Sequence, residues 1–308
     1  MKKEQNHALQ QGYIRRYTLS QGKENGIRVI ELDNGILRVL LNESKGLDIM
    51  QIFHKGTNMS FVSKNGFTAR EVPFLKRFEG GMLYTCGLDS IGGREGYELH
   101  GSYHNTPAEI LSVKQTESVL LVEAQTESTQ LFGQNLSLKR TITLPLESEN
   151  LYLDDVLVNR GTKTEDYCLL YHINLGYPML GEGLKISADL EEIIPRNTHS
   201  LENLAQQAVF PAPMDNEEER CYFLKNKGNT ISAINQTLAK TFTLTYSKET
   251  LPCLIQWTSP ATGDYALGLE PATSFLDDQF AYQSIQAGEE KVFSLTLSFC
   301  ENRENTNP

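Results

Sequence analysis

Three stretches of this chain alternate apolar and polar residues with a period of two, and that pattern restricts the fold more than any other feature. Phe242, Leu244 and Tyr246 interleave with Thr241, Thr243 and Thr245, and Phe293, Leu295, Leu297 and Phe299 interleave with Ser294, Thr296 and Ser298. Leu136, Leu138, Ile142 and Leu144 recur at even positions across 135–144. Successive side chains of a β-strand point to opposite faces, so each stretch predicts a strand with one face on a core and one toward water. Asp33-Asn34-Gly35 lies between 27–32 and 36–41 and predicts a hairpin turn. Further strands are expected at 119–123, 151–158, 167–175, 230–234, 253–257 and 265–269, with a turn or two of helix over 201–209. Many short strands joined by Gly, Asn, Asp and Ser turns indicate an all-β sandwich or barrel. No linker interrupts the pattern, and the charge run 217–220 reads as a solvated loop. Large all-β domains reach this length as one unit, so the expectation is a single domain over 1–308, with 1–12 and 301–308 as flexible ends.

Composition narrows the function. With Lys+Arg 28 against Asp+Glu 39 the net charge is −11, and no basic block stands out, which argues against nucleic acid or an anionic membrane as partner. Five cysteines without a CxxC pair suit a reducing compartment. The polar segment 1–17 has no apolar signal core, and the charge-free stretch 167–181 is too short to span a bilayer, so the expected location is the cytoplasm. The phosphate-loop, dinucleotide, HExxH and GxSxG patterns are absent, and no Cys/His cluster has zinc spacing. Nothing in the residues asks for a metal or a cofactor.

Chemistry could sit in three places. Phe78 to Glu109 holds seven glycines together with His100, His104, Asn105 and Glu109. Glycine lets a chain pass close to a ligand, although the same glycines suit a tight-turned connection. In 167–178 a strand would put Cys168, Leu170, His172 and Asn174 on one face and Tyr171, Ile173 and Leu175 on the other. A histidine and an amide in an apolar run must be hydrogen-bonded, either as structure or for proton transfer. In 264–271, Ala266 and Gly268 precede Glu270 on one face, leaving room for a ligand against the sheet, and Pro271 is expected to end the strand. Glu270 could equally be an exposed strand end. Trp257 lies in the preceding strand, where an indole can line a sugar surface or fill a core. Together these features offer a base (Glu270), an acid (His172) and polar donors (His100, Asn105), a kit suited to moving protons on a neutral, hydroxyl-rich molecule.

The segments LHGSYHNTPAE, LLYHINLGYP and YALGLEP, in that order, resemble the galactose-mutarotase-like (aldose 1-epimerase) superfamily. The match extends to a branch marked by Gly80-Gly81 with Thr85-Cys86-Gly87-Leu88, then Leu99-His100-Gly101 and Asn105 to Glu109. The resemblance implies a β-supersandwich and a sugar substrate. It implies that His100 bonds the sugar near its ring, that His172 protonates the ring oxygen and that Glu270 takes the anomeric proton. Opening of the hemiacetal, rotation about C1–C2 and closure on the other carbonyl face would then exchange the anomers. Relatives carry an arginine near the first histidine, for which Arg77 and Arg94 are candidates, and His104 stands where hexose-phosphate-type members have arginine. An aspartate matching Asp215 would read sugar hydroxyls, and Asn174 and Trp257 would complete the substrate contacts. On this basis His172 should stay partly protonated near neutral pH while Glu270 stays ionised. The chain is expected to be a mutarotase; the alternatives are a non-catalytic carbohydrate-binding protein and another sugar isomerase or lyase on the same scaffold.

Overall fold

In the computed structural model, which describes residues 8–276 and 281–302, the alternating stretches are strands whose burial alternates in step. A helical turn, α1 (Ala8–Gln11), leads into an antiparallel sheet of β1 (Tyr13–Thr18), β2 (Arg28–Asp33), β3 (Leu37–Asn42), β4 (Asp48–His54) and β5 (Thr57–Asn58), paired in that order. The hairpin at Asp33-Asn34-Gly35 joins β2 to β3. There Gly35 has φ 80° and Asn34 Oδ1 accepts from the Ile36 and Leu37 amides.

A short α2 (Phe74–Arg77) and β6 (Leu83–Leu88) follow, then β7 (Glu109–Gln115), β8 (Val119–Thr129), β9 (Asn135–Pro145), β10 (Asn150–Asn159) and β11 (Glu165–Leu175). After β12 (Leu184–Ser187) and β13 (Leu190–Pro195), the turn α3 (Thr198–Glu202) and a 3₁₀ turn at Leu204–Gln206 occupy the segment expected to be helical. The chain continues through β14 (Arg220–Asn226), β15 (Thr230–Asn235), β16 (Lys240–Tyr246), β17 (Cys253–Ser259), β18 (Ala266–Ala272), β19 (Gln283–Ile285) and β20 (Glu290–Glu301). One sheet runs β12-β15-β16-β20-β10-β9-β8-β7 and the other β13-β14-β17-β18-β11-β19, with β6 also paired to β11. Leu138, Ile142, Phe242, Leu244, Leu295 and Leu297 of the first meet Leu169, Tyr171 and Ile173 of the second, together with Leu32, Val39 and Leu41 of the N-terminal sheet. Each such side chain contributes roughly 1.5–3 kcal/mol relative to exposure. The architecture is the all-β supersandwich.

Charge also sits within the core. Arg140 falls on the inward register of β9 and is fully buried. Its guanidinium donates to Asp155 (2.9 and 2.8 Å), Asp48 (2.6 Å) and Thr85 (3.0 Å), while the Tyr171 hydroxyl donates to Asp155 at 2.7 Å. A buried ion must be matched in this way, because an unpaired one is far too costly. Thr85 and Tyr171 are cross-strand partners on β6 and β11. The network thereby ties the N-terminal sheet, the eight-stranded sheet and the back of the seven-stranded sheet together.

One expectation is corrected. Pro271 does not end its strand; β18 continues to Ala272. The ladder to β11 is interrupted at Glu270 and Pro271, between Leu269 and Ala272, so the missing proline N–H breaks no bond there. At the described edges of the two expected flexible ends, Gln115 donates to the Gly12 carbonyl at 2.8 Å, and Lys55 pairs with Glu301 at 2.8 Å. The rest of those expected flexible ends, 1–7 and 303–308, lies outside the described residues. Among the described residues no helix is long and apolar enough to cross a membrane.

Candidate active site

Antiparallel pairing lines up residues from distant parts of the chain in rows across the seven-stranded sheet. Arg196, whose amide bonds the Cys221 carbonyl, begins a row that continues through Cys221, Trp257, Gly268 and Asn174. The next row on the same face runs Phe223, Ile255, Glu270, His172 and Tyr84, with His172 and Glu270 opposed by the register that pairs Ile173 with Leu269. Alternation along β11 thus sends Tyr171 and Ile173 into the main core and His172 and Asn174 to the other face, as the sequence pattern predicts. That face bears a smaller apolar cluster of Tyr84, Cys86, Cys168, Leu170, Phe223 and Ile255. Beside this cluster opens a cavity of about 490 Å³, within the size range of small-molecule sites.

His172 and Glu270 form the floor. The imidazole Nε2 lies 3.1 Å from Glu270 Oε1, and the two side chains are 5% and 1% exposed. Oε1 and the other imidazole nitrogen, Nδ1, have no hydrogen-bond partner of good geometry among the described residues. The space above Gly268, expected to admit a ligand, is filled by this pair: a Cβ there would sit 2.4 Å from Oε1 and 2.9 Å from His172 Cε1.

Burial opposes the charge states expected for the pair. Burial, reinforced by the Glu219 charge and opposed by Arg196, pushes the Glu270 carboxyl well above 4.5. Burial, with the His100 charge adding to it and the Asn174 amide opposing, pushes His172 well below 6.5. Both shifts favour the uncharged forms, a carboxylic acid beside a neutral imidazole, over an ion pair.

His100 lines the same cavity from the glycine-rich segment, its ring perpendicular to His172 at 5.7 Å. It adopts φ 66°, uncommon for a residue with a Cβ, and Nδ1 donates to the Ile91 carbonyl at 2.8 Å. In the neutral ring this leaves Nε2 as an acceptor. Burial lowers its pKa, against the pull of the Ile91 carbonyl. Trp257 forms a wall, 5.5 Å from the His172 ring, and its Nε1 donates to Glu219 Oε2 at 2.8 Å. Phe61, Phe74, Phe78 and Leu99 supply apolar surface, and Lys64 pairs with Asp264 at the rim at 2.7 Å.

The remaining expected contacts are elsewhere. Asn174 does not line the cavity; it stands behind His172, donating to that residue's own carbonyl at 2.9 Å. His104 is buried against Tyr84, stacked at 3.6 Å, and bonds Asp48 at 2.6 Å and Glu79 at 3.1 Å. Burial works against its charge, but the Glu79 charge and the Asp48 hydrogen bond prevail and hold its pKa above 6.5. It serves the buried ionic network. Asn105 and Arg77 both turn to Glu98, and Arg94 packs over the rings of Tyr97 and Tyr282 at 4.7 and 5.0 Å. Asp215 is exposed and off the cavity. Arg196, Glu219 and Asp264 line the cavity, and the sequence reading assigned them no role. They sit just outside strands, where no periodicity marks them. Among the described residues no group of three His, Cys, Asp or Glu side chains is placed to hold a metal ion.

No curated protein matches the sequence significantly. Solved structures match across nearly the whole chain. A "putative aldose 1-epimerase" from Klebsiella pneumoniae subsp. pneumoniae MGH 78578 has a TM-score of 0.83 at 21% identity, covering 94% of this chain and 84% of that one. A galactose mutarotase-like protein from Clostridium acetobutylicum gives 0.71 at 15% identity, covering 95% and 99%. Another from Lactobacillus casei ATCC 334 gives 0.62 at 15% identity, covering 88% and 100%. At these identities the likeness shows the fold alone, which is that of the galactose mutarotase-like sandwich. A family described as "Domain of unknown function (DUF4432)" matches residues 24–299, and the chain belongs to that family.

Proposed function

We propose that this protein is an isomerase of the aldose 1-epimerase type, exchanging the anomers of a sugar bound over His172 and Glu270. The observation that carries this reading is the 3.1 Å approach of His172 Nε2 to Glu270 Oε1 on the floor of a sugar-sized cavity, with Oε1 left without a well-directed partner. Ring opening needs one proton delivered to the ring oxygen and one removed from the anomeric hydroxyl, two atoms on the same carbon. A carboxylic acid and a neutral imidazole in contact can do both. Glu270 gives its proton to the ring oxygen while His172 accepts the anomeric proton, leaving carboxylate and imidazolium. After rotation about C1–C2, closure returns the first proton to Glu270 and the second to the new anomeric oxygen, so the proton count is restored. In the ion-pair form the roles exchange, which is the assignment the resemblance implies. His100 Nε2, as an acceptor, can hold a neighbouring hydroxyl, and Trp257 offers a flat apolar wall to the ring's C–H face.

NMR exchange spectroscopy on a panel of aldoses tests the reading. The protein should accelerate anomer exchange on at least one sugar, and His172→Ala and Glu270→Gln should each remove about 10²–10⁴-fold of that acceleration. No acceleration on any sugar, or unchanged rates in both variants, would refute it. Binding without exchange would identify a carbohydrate-binding protein. Solvent deuterium appearing on carbon would instead indicate abstraction of a C–H proton by the same pair.

A further inference from the structure

One cation of the cavity has no ion-pair partner among the described residues. Of its basic residues, Lys64 is neutralised by Asp264 at 2.7 Å, whereas among the described residues no carboxylate lies within ion-pair distance of the Arg196 guanidinium. Arg196 is exposed at the edge of the sheet, and Glu219, only two residues from its cross-strand partner Cys221, lines the same cavity. Glu219 instead accepts from the Trp257 indole. The charges of Glu219 and, to a smaller extent, Arg196 both reach Glu270 and His100.

The row across the sheet sets the spacing. From Arg196 through Cys221 and Trp257 to Gly268, beneath the His172–Glu270 pair, is three strand steps, or about 14 Å. An arginine side chain is long enough to cover part of that span, and Trp257 walls what is left, a length suited to a pyranose with an exocyclic group. A sugar whose C1 lies over the acid–base pair would rest its ring on the indole and point its far end at Arg196. The planar fork of arginine matches the paired oxygens of a carboxylate, phosphate or sulfonate.

We propose that the substrate is an aldose bearing an anionic substituent at the end of the ring remote from C1, and that Arg196 reads that substituent. This rests on the mutarotase reading for the orientation of the sugar, but its test does not require turnover. Calorimetric titration would compare 1,5-anhydrohexitols of gluco, galacto and manno configuration with their 6-phosphates and their 6-carboxylates. These compounds lack an anomeric hydroxyl and cannot mutarotate, so they report binding whether or not the protein is a mutarotase. In at least one configuration an anionic member should bind about ten- to a hundredfold more tightly than its neutral parent. The phosphate and carboxylate arms distinguish which oxyanion is preferred. Arg196→Gln should reduce that preference to threefold or less, and Arg196→Lys should retain part of it, since a point charge replaces the fork. Equal affinity for neutral and anionic members, a preference that survives Arg196→Gln, or no binding by any member would overturn the proposal. A protein that shows the preference but no anomer exchange would fail the mutarotase reading alone.

Discussion

At the scale of single residues, the Cβ that Gly268 lacks matters most. A methyl group there meets Glu270 Oε1 at 2.4 Å and His172 Cε1 at 2.9 Å, so the pair must shift to admit it. Gly268→Ala should therefore leave circular dichroism and melting near wild type while anomer exchange falls by about 10²-fold, as misplacement of reacting groups commonly does. An alanine variant with full activity would mean that the pair is not the reacting pair. The pH–rate profile is a second residue-scale expectation. The one-proton pair persists between protonation of His172, displaced well below 6.5, and ionisation of Glu270, displaced well above 4.5. Their apparent values belong to the pair. The rate should show no inflection at the ordinary histidine value near 6.5, since burial holds His172 well below it; a decline centred there would require His172 to act as a free imidazolium.

At the scale of elements, β11 was the most legible part of the sequence and β9 the most misleading. The alternation of 167–175 assigns Tyr171 and His172 to opposite faces, and the pairing of β11 with β6 and β18 follows it residue by residue. In β9 the same alternation is broken once, where Arg140 stands at an even position among leucines. A long cation on a core register was the available sign of a buried network, but its partners Asp48 and Asp155 lie 92 and 15 residues away and share no local pattern. His104 is a second such case. Its place in a polar, glycine-rich segment suggested a ligand contact, and in the fold it lies between the buried carboxylates of Asp48 and Glu79. Arg140→Met should cost about 3–5 kcal/mol in urea unfolding because it leaves Asp48 and Asp155 buried without their cation. Tyr171→Phe, which removes one hydrogen bond to Asp155, should cost about 1–2 kcal/mol. A reversed order would place the weight of the network on the tyrosine.

At the scale of the whole molecule, the network makes stability depend on pH from both sides. His104 has a folded pKa above 6.5, so its contribution is complete below 6.5 and is lost as pH rises through the raised value. Asp48 and Glu79 are held below 3.8 and 4.5. Burial is the largest single influence and opposes this, but the hydrogen bond from His104 together with the Arg140 and His104 charges outweighs it at Asp48, and the charge and hydrogen bond of His104 together with those of Lys45 outweigh it at Glu79. Their contributions are complete above those values and are lost as pH falls through the lowered ones. The gap in Tm between wild type and His104→Asn should thus be widest between about pH 4.5 and 6.5 and narrow in both directions. A gap that stays constant from pH 4 to 9 would show that His104 contributes shape and no charge. The fold was legible at this scale because period-two burial is a property every strand repeats. The rim of the cavity was not, since Arg196, Glu219 and Asp264 are each brought in by a single strand end.

That contrast has a practical consequence. The proton-handling pair is bolted to the middle of a sheet whose reverse side is cross-braced by Arg140, whereas Arg196 and Glu219 hang from connections at its margin. Those connections could be lengthened, trimmed or swapped for foreign ones while the contact between His172 and Glu270 stays in place. Under the proposed function, the scaffold lends itself to being re-addressed to new sugars by grafting, with the geometry of its acid–base pair kept as a fixed cartridge.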